Sequence, residues 1–287
     1  MPTCKEALLG ATGKLRAAGI DQPWFEAQLL LAATLKKTTV EIIAHGERSL
    51  SASQFRQFTA AVRQRQQRKP LAYIVGSKHF LHWDFAVNQD VLVPRPETEL
   101  LVELAVRELR HRFPEAPLQL ADIGTGSGVI GLSMLALLPS ARLAAVDLSE
   151  PALLVARKNA RRMQVQDRVT FYPGDLLQPL AGWKGSINCL TANLPYVASV
   201  EYENLQPEIL RFEPREALVS GVDGLRHYRR LLREAKNYLC TGGLIFIEVG
   251  STQGEQVQRL FIHGGFENPQ IEKDLAGHER IVWAVKD

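Results

Sequence analysis

The chain has 287 residues, of which 46% are hydrophobic, and a formal net charge of +3. This length suits two domains, or one large domain with an extension, and the hydrophobic content is ample for a sizeable core. The charge is too small to demand a nucleic-acid partner, and the longest apolar runs are far shorter than a membrane span.

The cysteines and the N-terminal sequence predict a cytoplasmic protein. Cys4, Cys189 and Cys240 are odd in number and far apart, as expected in a reducing compartment without structural zinc. The N-terminus lacks the basic and then apolar order of a secretory signal. His79 and His82 have the spacing of a ligand pair, but no Cys/His cluster surrounds them, so we expect no metal.

Residues 1–69 are predicted to form a small helical domain. An amphipathic segment that carries Leu8 ends near Gly19, and Pro23 opens a second helix. Ser51 begins a Ser-x-x-Gln capping box ahead of a further helical periodicity. These helices carry no catalytic constellation, so we expect a bundle that packs and binds a partner.

The basic run Arg63–Lys69 closes this region. The simplest interpretation is a solvated last helical turn, because cations are favourable at helix C-termini. A contact with an acidic partner or an RNA backbone is the alternative.

From residue 70 to 93 the pattern changes to β-forming residues, which predicts a strand pair that links two domains. These residues are Tyr73, Ile74, Val75, Phe80, Phe85, Val87, Val91 and Val93.

Residues 94–287 alternate between strands and helices. Pro94-Arg95-Pro96 leads into a helix that starts near Glu97. The alternation that follows indicates an α/β fold with a mostly parallel sheet covered on both faces. The predicted strands are 118–123, 142–147, 169–172, 187–192, 244–249 and 281–285, and the predicted helices are 129–138, 151–163, 228–239 and 253–263.

A glycine-rich turn, Gly124-Thr125-Gly126-Ser127-Gly128, lies between the first of these strands and a helix. Side chains at the glycines would keep a ligand away from the backbone, and a helix N-terminus favours negative charge. Asp147 ends the next strand, where an acidic residue can accept hydrogen bonds from both ribose hydroxyls. The spacing lacks the final offset of the dinucleotide fingerprint, which favours S-adenosylmethionine over NAD. A tight turn capped by glycines is the alternative.

A second loop, Gly174-Asp175-Leu176-Leu177, follows the third strand and should reach the same edge of the sheet. Asp175 can accept a hydrogen bond from an adenine amino group, and Leu176 can pack on the ring. Gly-Asp is also an ordinary turn, so this prediction depends on its position in the sheet.

The fourth strand ends in Asn193-Leu194-Pro195-Tyr196. The Asn193 side-chain oxygen and the Leu194 carbonyl can hold the two N–H groups of a substrate amide, and Tyr196 can stack on its plane. The nitrogen lone pair is then aimed at an electrophilic methyl group, and alignment is the main catalytic contribution. Asn193 and Tyr196 are therefore the candidate catalytic residues.

This last motif resembles the (Asn/Asp/Ser)-Pro-Pro-Tyr signature of methyltransferases that modify amino groups conjugated to a planar system. Nearly the whole chain is similar to the HemK/PrmC family of peptide-chain-release-factor glutamine N5-methyltransferases. The stretch Pro94-Arg95-Pro96-Glu97-Thr98-Glu99 is the most specific match, because it lies outside the general methyltransferase core. The other matching stretches are 70–76, 124–128, 145–147, 213–218, 223–225 and 242–243.

The resemblance implies a Rossmann-like, seven-stranded S-adenosylmethionine-dependent methyltransferase sheet in residues 94–287. A substrate-recognition domain, 1–69, would be joined to it by a β-hairpin linker, 70–93. The implied reaction moves a methyl group from S-adenosylmethionine, leaving S-adenosylhomocysteine, to the side-chain nitrogen N5 of a glutamine. That glutamine lies in the Gly-Gly-Gln loop of class I peptide chain release factors.

Carried over by position, the resemblance implies two sets of site residues. The cofactor contacts fall on Gly124, Thr125, Gly126, Ser127, Gly128, Asp147, Asp175, Leu176 and Asn193. The substrate amide meets Asn193, Leu194, Pro195 and Tyr196. The chain departs from the family at Leu194, where a proline and its fixed φ are usual, at Asn188, where an acid is frequent, and at Ser220, where glycine is common. None of these departures removes a donor or acceptor that the mechanism requires.

Two other functions fit parts of the pattern. A nucleic-acid adenine N6-methyltransferase could use the same pocket, but it needs a basic, aromatic-bearing surface that the mild charge does not favour. A non-catalytic cofactor-binding scaffold would tolerate degraded glycines or a lost Asn193, and both features are intact. We therefore expect release factors as partners, with no direct nucleic-acid binding and no membrane association.

Overall fold

The computed structural model describes residues 1–114 and 116–287, and the chain forms two compact units. The helical unit comprises Met1–Ser77 with Gln206–Phe212, and the sheet unit comprises Lys78–Leu205 with Glu213–Asp287. No helix within the described ranges combines the length and apolar character that crossing a bilayer requires.

Helices occupy the chain up to Val75, and the first strand begins at Ser77. In chain order, the helices and strands are α1 (Cys4–Ala17), α2 (Pro23–Leu35), α3 (Thr39–Ala44), α4 (Ala52–Gln66), α5 (Leu71–Val75), β1 (Ser77–Phe80), β2 (Trp83–Ala86), α6 (Thr98–Arg112), β3 (Gln119–Ile123), α7 (Val129–Leu137), β4 (Arg142–Asp147), α8 (Glu150–Arg162), β5 (Val169–Pro173), β6 (Ile187–Ala192), α9 (Pro207–Phe212), α10 (Arg226–Tyr238), β7 (Leu239–Glu248), α11 (Gly254–His263), β8 (Gln270–Lys273) and β9 (Glu279–Val285).

Local capping determines where the helices of the helical unit begin. Thr3, Thr38 and Ser51 each form a capping box, in which the hydroxyl accepts from the N3 backbone and the N3 side chain returns the bond. Pro23 stands in the first turn of α2, as predicted. Buried leucines and Phe58 fill the space between these helices and form the core of the unit.

The basic run at the end of α4 is not a solvated turn, so that interpretation is wrong for its central residues. Arg65 is 7% exposed and donates to both carboxylate oxygens of Glu26 and to Glu208, at 2.5, 3.1 and 3.0 Å. Arg68 also donates to Glu208. A buried guanidinium needs such partners, because an unpaired charge in the interior is strongly destabilising. The acidic partners of Arg65 and Arg68 therefore belong to the chain itself, and among the cations of this run only Arg63 is exposed.

The predicted linker is only partly β-structure. Leu71–Val75 forms α5, although Tyr73, Ile74 and Val75 favour strands locally. Leu71, Ile74 and Val75 pack against the core of the helical unit, and this tertiary contact overrides the weak local preference. The strand pair is confined to β1 and β2.

The sheet has the order β5-β4-β3-β6-β7-β9-β8. The first five strands are parallel, and β9 is antiparallel to both of its neighbours. The predicted α/β alternation and the seven-stranded, mostly parallel sheet are confirmed. The edge strand β8 was not predicted, because its sequence, Gln-Ile-Glu-Lys, has one apolar residue.

Alternate strand residues face opposite helical layers, as pleating requires. Leu120 and Leu143 point into a core with α6 and α7, whereas Ala121 and Ala144 point into a core with α10 and α11. Ile123, at the end of β3, pairs with Val146 of β4 and Ala192 of β6. The loops that leave these three strands therefore start side by side.

Candidate active site

The glycine-rich turn is held by a buried carboxylate on β3. Asp122 is 1% exposed, and its Oδ2 accepts from the Thr125 hydroxyl at 2.6 Å and from the Gly131 N–H at 3.2 Å. Its Oδ1 accepts from the Thr191 hydroxyl of β6 at 2.9 Å. Burial raises the Asp122 pKa, and these hydrogen bonds lower it. Asp122 thus fixes the turn to both the helix behind it and the neighbouring strand.

The three glycines of the turn have different surroundings, although all have positive φ. A Cβ on Gly124 would lie 2.9 Å from Leu194 Cδ2, and a Cβ on Gly128 would collide with the Leu132 side chain. A Cβ on Gly126 would be 4.0 Å from the nearest protein atom. A side chain at Gly128 would therefore collide with Leu132, and one at Gly124 would force the end of the Leu194 side chain to move, whereas at Gly126 the space beside the backbone is open.

Asp147 closes the turn from the end of β4. Its Oδ2 accepts from the Gly126 N–H at 2.8 Å, and its Oδ1 accepts from the Ser149 N–H at 2.9 Å. Burial raises the Asp147 pKa, opposed by these backbone hydrogen bonds. Each carboxylate oxygen has a second lone pair, so the group can still accept from a ligand hydroxyl.

A cavity of about 440 Å³ lies over these strand ends. Its volume is within the range of small-molecule sites. It brings together loops from four strands, and the sequence-predicted residues that line it are Gly124, Thr125, Gly126, Ser127, Asp147, Asp175, Leu176, Asn193, Leu194 and Pro195. Gly128 and Tyr196 are not among its lining residues.

The loop after β5 contributes Asp175 and Leu176. One Asp175 oxygen forms an ion pair with Arg230 at 2.5 Å, so a ligand amino group would have to use the remaining acceptor capacity. Leu176 has φ 51°, a left-handed conformation that is unfavourable for a residue with a branched side chain. Such strain concentrates at binding sites, where surrounding structure holds it.

Contacts with three other segments of the sheet unit hold the loop after β6 in place. Asn193 Nδ2 lies 3.4 Å from the hydroxyl of Thr98, a buried residue at the start of α6. Leu194 is buried against Gly124. The Tyr196 carbonyl accepts from the Gln253 side chain at 3.0 Å, and burial raises the pKa of its phenol to about 12. The Tyr196 side chain is therefore neutral at physiological pH.

Several residues at the site were missed by sequence reasoning. Glu213 accepts from Arg95 at 2.7 Å and from the Val93 N–H at 3.2 Å. Both Arg95 and Glu213 lie in stretches shared with the resembled family, but no sequence pattern pairs residues that are 118 positions apart. Asn159 of α8 donates to the carbonyl of Ser127 at 2.9 Å and so fixes the turn from a third side.

Glu248 was also missed. It ends β7, is 1% exposed, and has Thr98 and Asn193 as neighbours. Burial raises its pKa to about 7. A single acid within the otherwise apolar run Leu-Ile-Phe-Ile-Glu-Val was the signal that could have indicated it.

The chain is similar to known proteins over nearly its whole length. Residues 6–76 match the family described as PrmC N-terminal domain, and residues 98–221 match the methyltransferase small domain. A release factor glutamine methyltransferase of Moorella thermoacetica is 39% identical over 99% of both chains. One of Caulobacter vibrioides is 37% identical over 99% of this chain and 97% of its own.

This chain belongs to the release factor glutamine methyltransferase family. The expected family is therefore confirmed over nearly the full length, including the helical unit. Among solved structures, the hMettl16 catalytic domain in complex with the MAT2A 3'UTR hairpin 6 aligns with a TM-score of 0.55 over 82% of each chain. At 12% identity this likeness shows the methyltransferase fold alone.

Proposed function

We propose that this protein transfers a methyl group from S-adenosylmethionine to the side-chain amide nitrogen of the glutamine in the Gly-Gly-Gln loop of class I release factors. One observation carries the proposal: the Asn193 side chain borders the same cavity that the glycine-rich turn leaves open at Gly126. A donor of the methyl group and an amide acceptor can therefore meet in one place. The enzyme would act in the cytoplasm on its protein partner.

The described residues fit S-adenosylmethionine. The bare backbone at Gly126 allows close approach, Asp147 offers acceptors for the ribose hydroxyls, and the strained Leu176 can cover the adenine. Ser127 and Thr125 supply further polar atoms at the N-terminus of α7. When bound, this group supplies an electrophilic methyl on a sulfonium, and we propose no metal in the reaction.

The protein's own contribution is alignment. An amide nitrogen is a weak nucleophile, because its lone pair is conjugated with the carbonyl. Asn193 Oδ1 and the Leu194 carbonyl would accept the two substrate N–H groups, which turns the lone pair toward the methyl group and stabilises the positive charge that develops on nitrogen. Pro195 stiffens the backbone after this pair, and Tyr196, once the substrate is bound, would provide an aromatic face for the amide.

We also propose that the helical unit recognises the release factor. Its helices hold no cavity-lining residue, yet they present large apolar side chains to solvent, including Trp24, Phe25 and Ile43. Exposed aromatic and aliphatic residues of this kind are typical anchors of protein interfaces. Recognition by a separate unit suits a substrate whose reactive glutamine is only a small part of a large protein.

The test is mass spectrometry of a release factor after incubation with the enzyme and isotope-labelled S-adenosylmethionine. We expect one methyl group on the glutamine of the Gly-Gly-Gln loop. Asn193→Ala should lower the single-turnover rate by about 10²–10³, by analogy with loss of one transition-state hydrogen bond. S-adenosylmethionine affinity should be nearly unchanged.

Asn188→Ala is the matched control, because Asn188 lies on the strand that precedes Asn193, but its side chain accepts from the backbone N–H of Gln119 and donates to Cys240. We expect this variant to retain activity. If adenines of RNA or DNA substrates gained the isotope label and the release factor gained none, the nucleic-acid alternative would be supported instead. If Asn193→Ala kept most of the wild-type rate, the proposed site would be wrong.

A further inference from the structure

Glu248 is a buried acid beside the candidate catalytic asparagine. The residue before it, Ile247, pairs with Ala192 on the adjacent parallel strand, so Glu248 and Asn193 leave their strands next to each other. The Glu248 side chain is sealed from solvent, and its Oε2 has no hydrogen-bond partner among residues 1–114 and 116–287. A buried, incompletely paired carboxyl is destabilising, so its presence at this position calls for a functional reason.

Thr98 connects the two side chains. Its hydroxyl accepts from Asn193 Nδ2, and both Thr98 and Asn193 lie close enough to the Glu248 carboxyl to lower its pKa as hydrogen-bonding neighbours. A hydroxyl has one proton to donate. When that proton points at Glu248, the oxygen of Thr98 can only accept, and it then selects the NH2 end of the Asn193 amide.

An asparagine amide has a donor end and an acceptor end of nearly the same shape. The proposed reaction needs the acceptor end, Oδ1, to face the substrate amide. If the amide were rotated by half a turn, two NH2 groups would face each other. The substrate would then lose one of the two hydrogen bonds that orient it.

We propose that Glu248 is a positioning residue that fixes the orientation of the Asn193 amide, through Thr98 and directly, so that Oδ1 faces the substrate. This inference rests on the proposed function of Asn193. An ionised carboxylate is the one side chain that can only accept in this position, and it therefore sets the direction of the whole chain of hydrogen bonds. Glu248 does not touch the reacting atoms.

The ionisation of Glu248 then controls how firmly the orientation is set. Desolvation raises its pKa to about 7, opposed by Thr98, by Asn193 and by the Arg280 guanidinium of β9, while Glu97 raises it further. The phenols of Tyr196 and Tyr228 also face it, and both have raised pKa values, so they are neutral. When Glu248 is protonated, it can donate to Asn193 Oδ1, and the rotated amide becomes acceptable.

Glu248→Gln is the direct test, because glutamine keeps the size of the side chain but can donate. The assay is single-turnover methylation of a release factor at saturating concentrations of both substrates, from pH 6 to 9. We expect the wild-type rate to rise with pH through about 7. Glu248→Gln should be slower by at least about tenfold at pH 8, and it should lack this rise. Calorimetry should show unchanged S-adenosylmethionine affinity.

Thr98 supplies a second, independent variant. Thr98→Val removes the hydroxyl at nearly constant volume and should lower kcat by at least about tenfold without a matching change in KM, because alignment rather than binding is lost. Thr98→Ser restores the hydroxyl and should recover most of that loss. Ser133→Ala is the control, since Ser133 is also a buried hydroxyl but lies in α7, where its Oγ has no hydrogen-bond partner among the described residues.

The outcomes separate this inference from the proposed function. If the wild type methylates the release factor and Glu248→Gln matches its rate and pH profile, the positioning role is wrong and the proposed function stands. If Thr98→Ser is as slow as Thr98→Val, the proposed positioning of Asn193 through the Thr98 hydroxyl is rejected. If the wild type leaves the release-factor glutamine unmodified, the proposed function fails, and the inference fails with it.

Discussion

At the scale of single residues, the three glycines of the glycine-rich turn meet different structural demands. Side chains at Gly124 and Gly128 would crowd Leu194 and Leu132. Gly126 alone adjoins open space, beside the acceptors of Asp147. The motif therefore serves packing at two of its glycines and offers the proposed ligand surface at the third.

Gly126→Val should abolish binding of S-adenosylmethionine, because the new side chain would occupy the cavity. Valine at φ 55° is also strained, by about 1–2 kcal/mol. Gly185→Val is the matched control, since Gly185 has φ 73°, a Cβ there would meet no atom of the described residues within 4 Å, and it does not line the cavity. Calorimetry should show loss of affinity in Gly126→Val alone. Equal affinity in both variants would exclude this turn as the cofactor site.

Glu248 should also make the stability of the protein depend on pH. Its pKa is raised from 4.5 to about 7, so between these values the folded state holds a proton that the unfolded state has lost. The free energy of unfolding must then fall as pH rises through this window, by up to about 3 kcal/mol.

Glu248→Gln removes this dependence. Urea denaturation at pH 5 and at pH 8 should show the variant gaining stability relative to the wild type by up to about 3 kcal/mol between the two pH values. Taking the difference between two pH values cancels the constant effect of the new amide. A pH dependence that is parallel in the two proteins would mean that Glu248 titrates at its ordinary value.

At the scale of secondary-structure elements, the site is an assembly of strand ends. The parallel pairing of β4, β3 and β6 sets the three loops side by side. The first residue of α6 and the last residue of β7 then supply the groups around Asn193. The loop after β6 is held by burial of Leu194, where the family usually has proline.

Leu194→Pro tests what this loop requires. The carbonyl that would hold the substrate remains, so we expect kcat within about threefold of wild type, because alignment is preserved. The buried contact with Gly124 is reduced, so the free energy of unfolding should fall by about 1–3 kcal/mol. Chemical denaturation and single-turnover kinetics measure the two effects.

Leu194→Ala is the companion variant, since it removes the same contact without fixing φ. Comparable activity in the two variants would assign the role of this position to the backbone carbonyl. Loss of activity in Leu194→Pro alone would show that the loop needs a φ that proline does not permit.

At the scale of the whole molecule, the chain folds as two units, and each unit comprises two separate stretches of the sequence. The helical unit extends to Ser77 and also includes α9, which returns to it from residues 206–212. Glu208 of α9 neutralises Arg65 and Arg68 inside that unit. Deleting residues 1–69 would leave Glu208 without these partners, so point substitutions are the better test of recognition.

We expect the double variant Phe25→Ser/Ile43→Ser to raise KM for an intact release factor by about tenfold, because interface anchors contribute more than about 1 kcal/mol. Its kcat should be unchanged, and so should methylation of a short peptide that contains Gly-Gly-Gln. Leu275→Ser removes an even more exposed apolar side chain from the sheet unit and should have no effect. An unchanged KM in the double variant would reject recognition by these two side chains.

The sequence by itself determined the features that depend on neighbouring residues. Capping at Ser51, strand and helix alternation, and the position of each chemical motif directly after a strand are all local patterns, and the fold follows them. Asn193 was predicted as a catalytic residue because its motif follows a strand and resembles a methyltransferase signature, and its role stays a prediction.

Only the tertiary structure decided the features that depend on distant partners. Residues 71–75 became a helix because they pack on the helical core. Arg65 became buried because Glu26 and Glu208, 39 and 143 positions away, neutralise it. Thr98 and Glu248 meet Asn193 from two other elements, so no periodicity or spacing could reveal them. Burial and charge pairing are properties of the folded neighbourhood, and a linear pattern does not contain them.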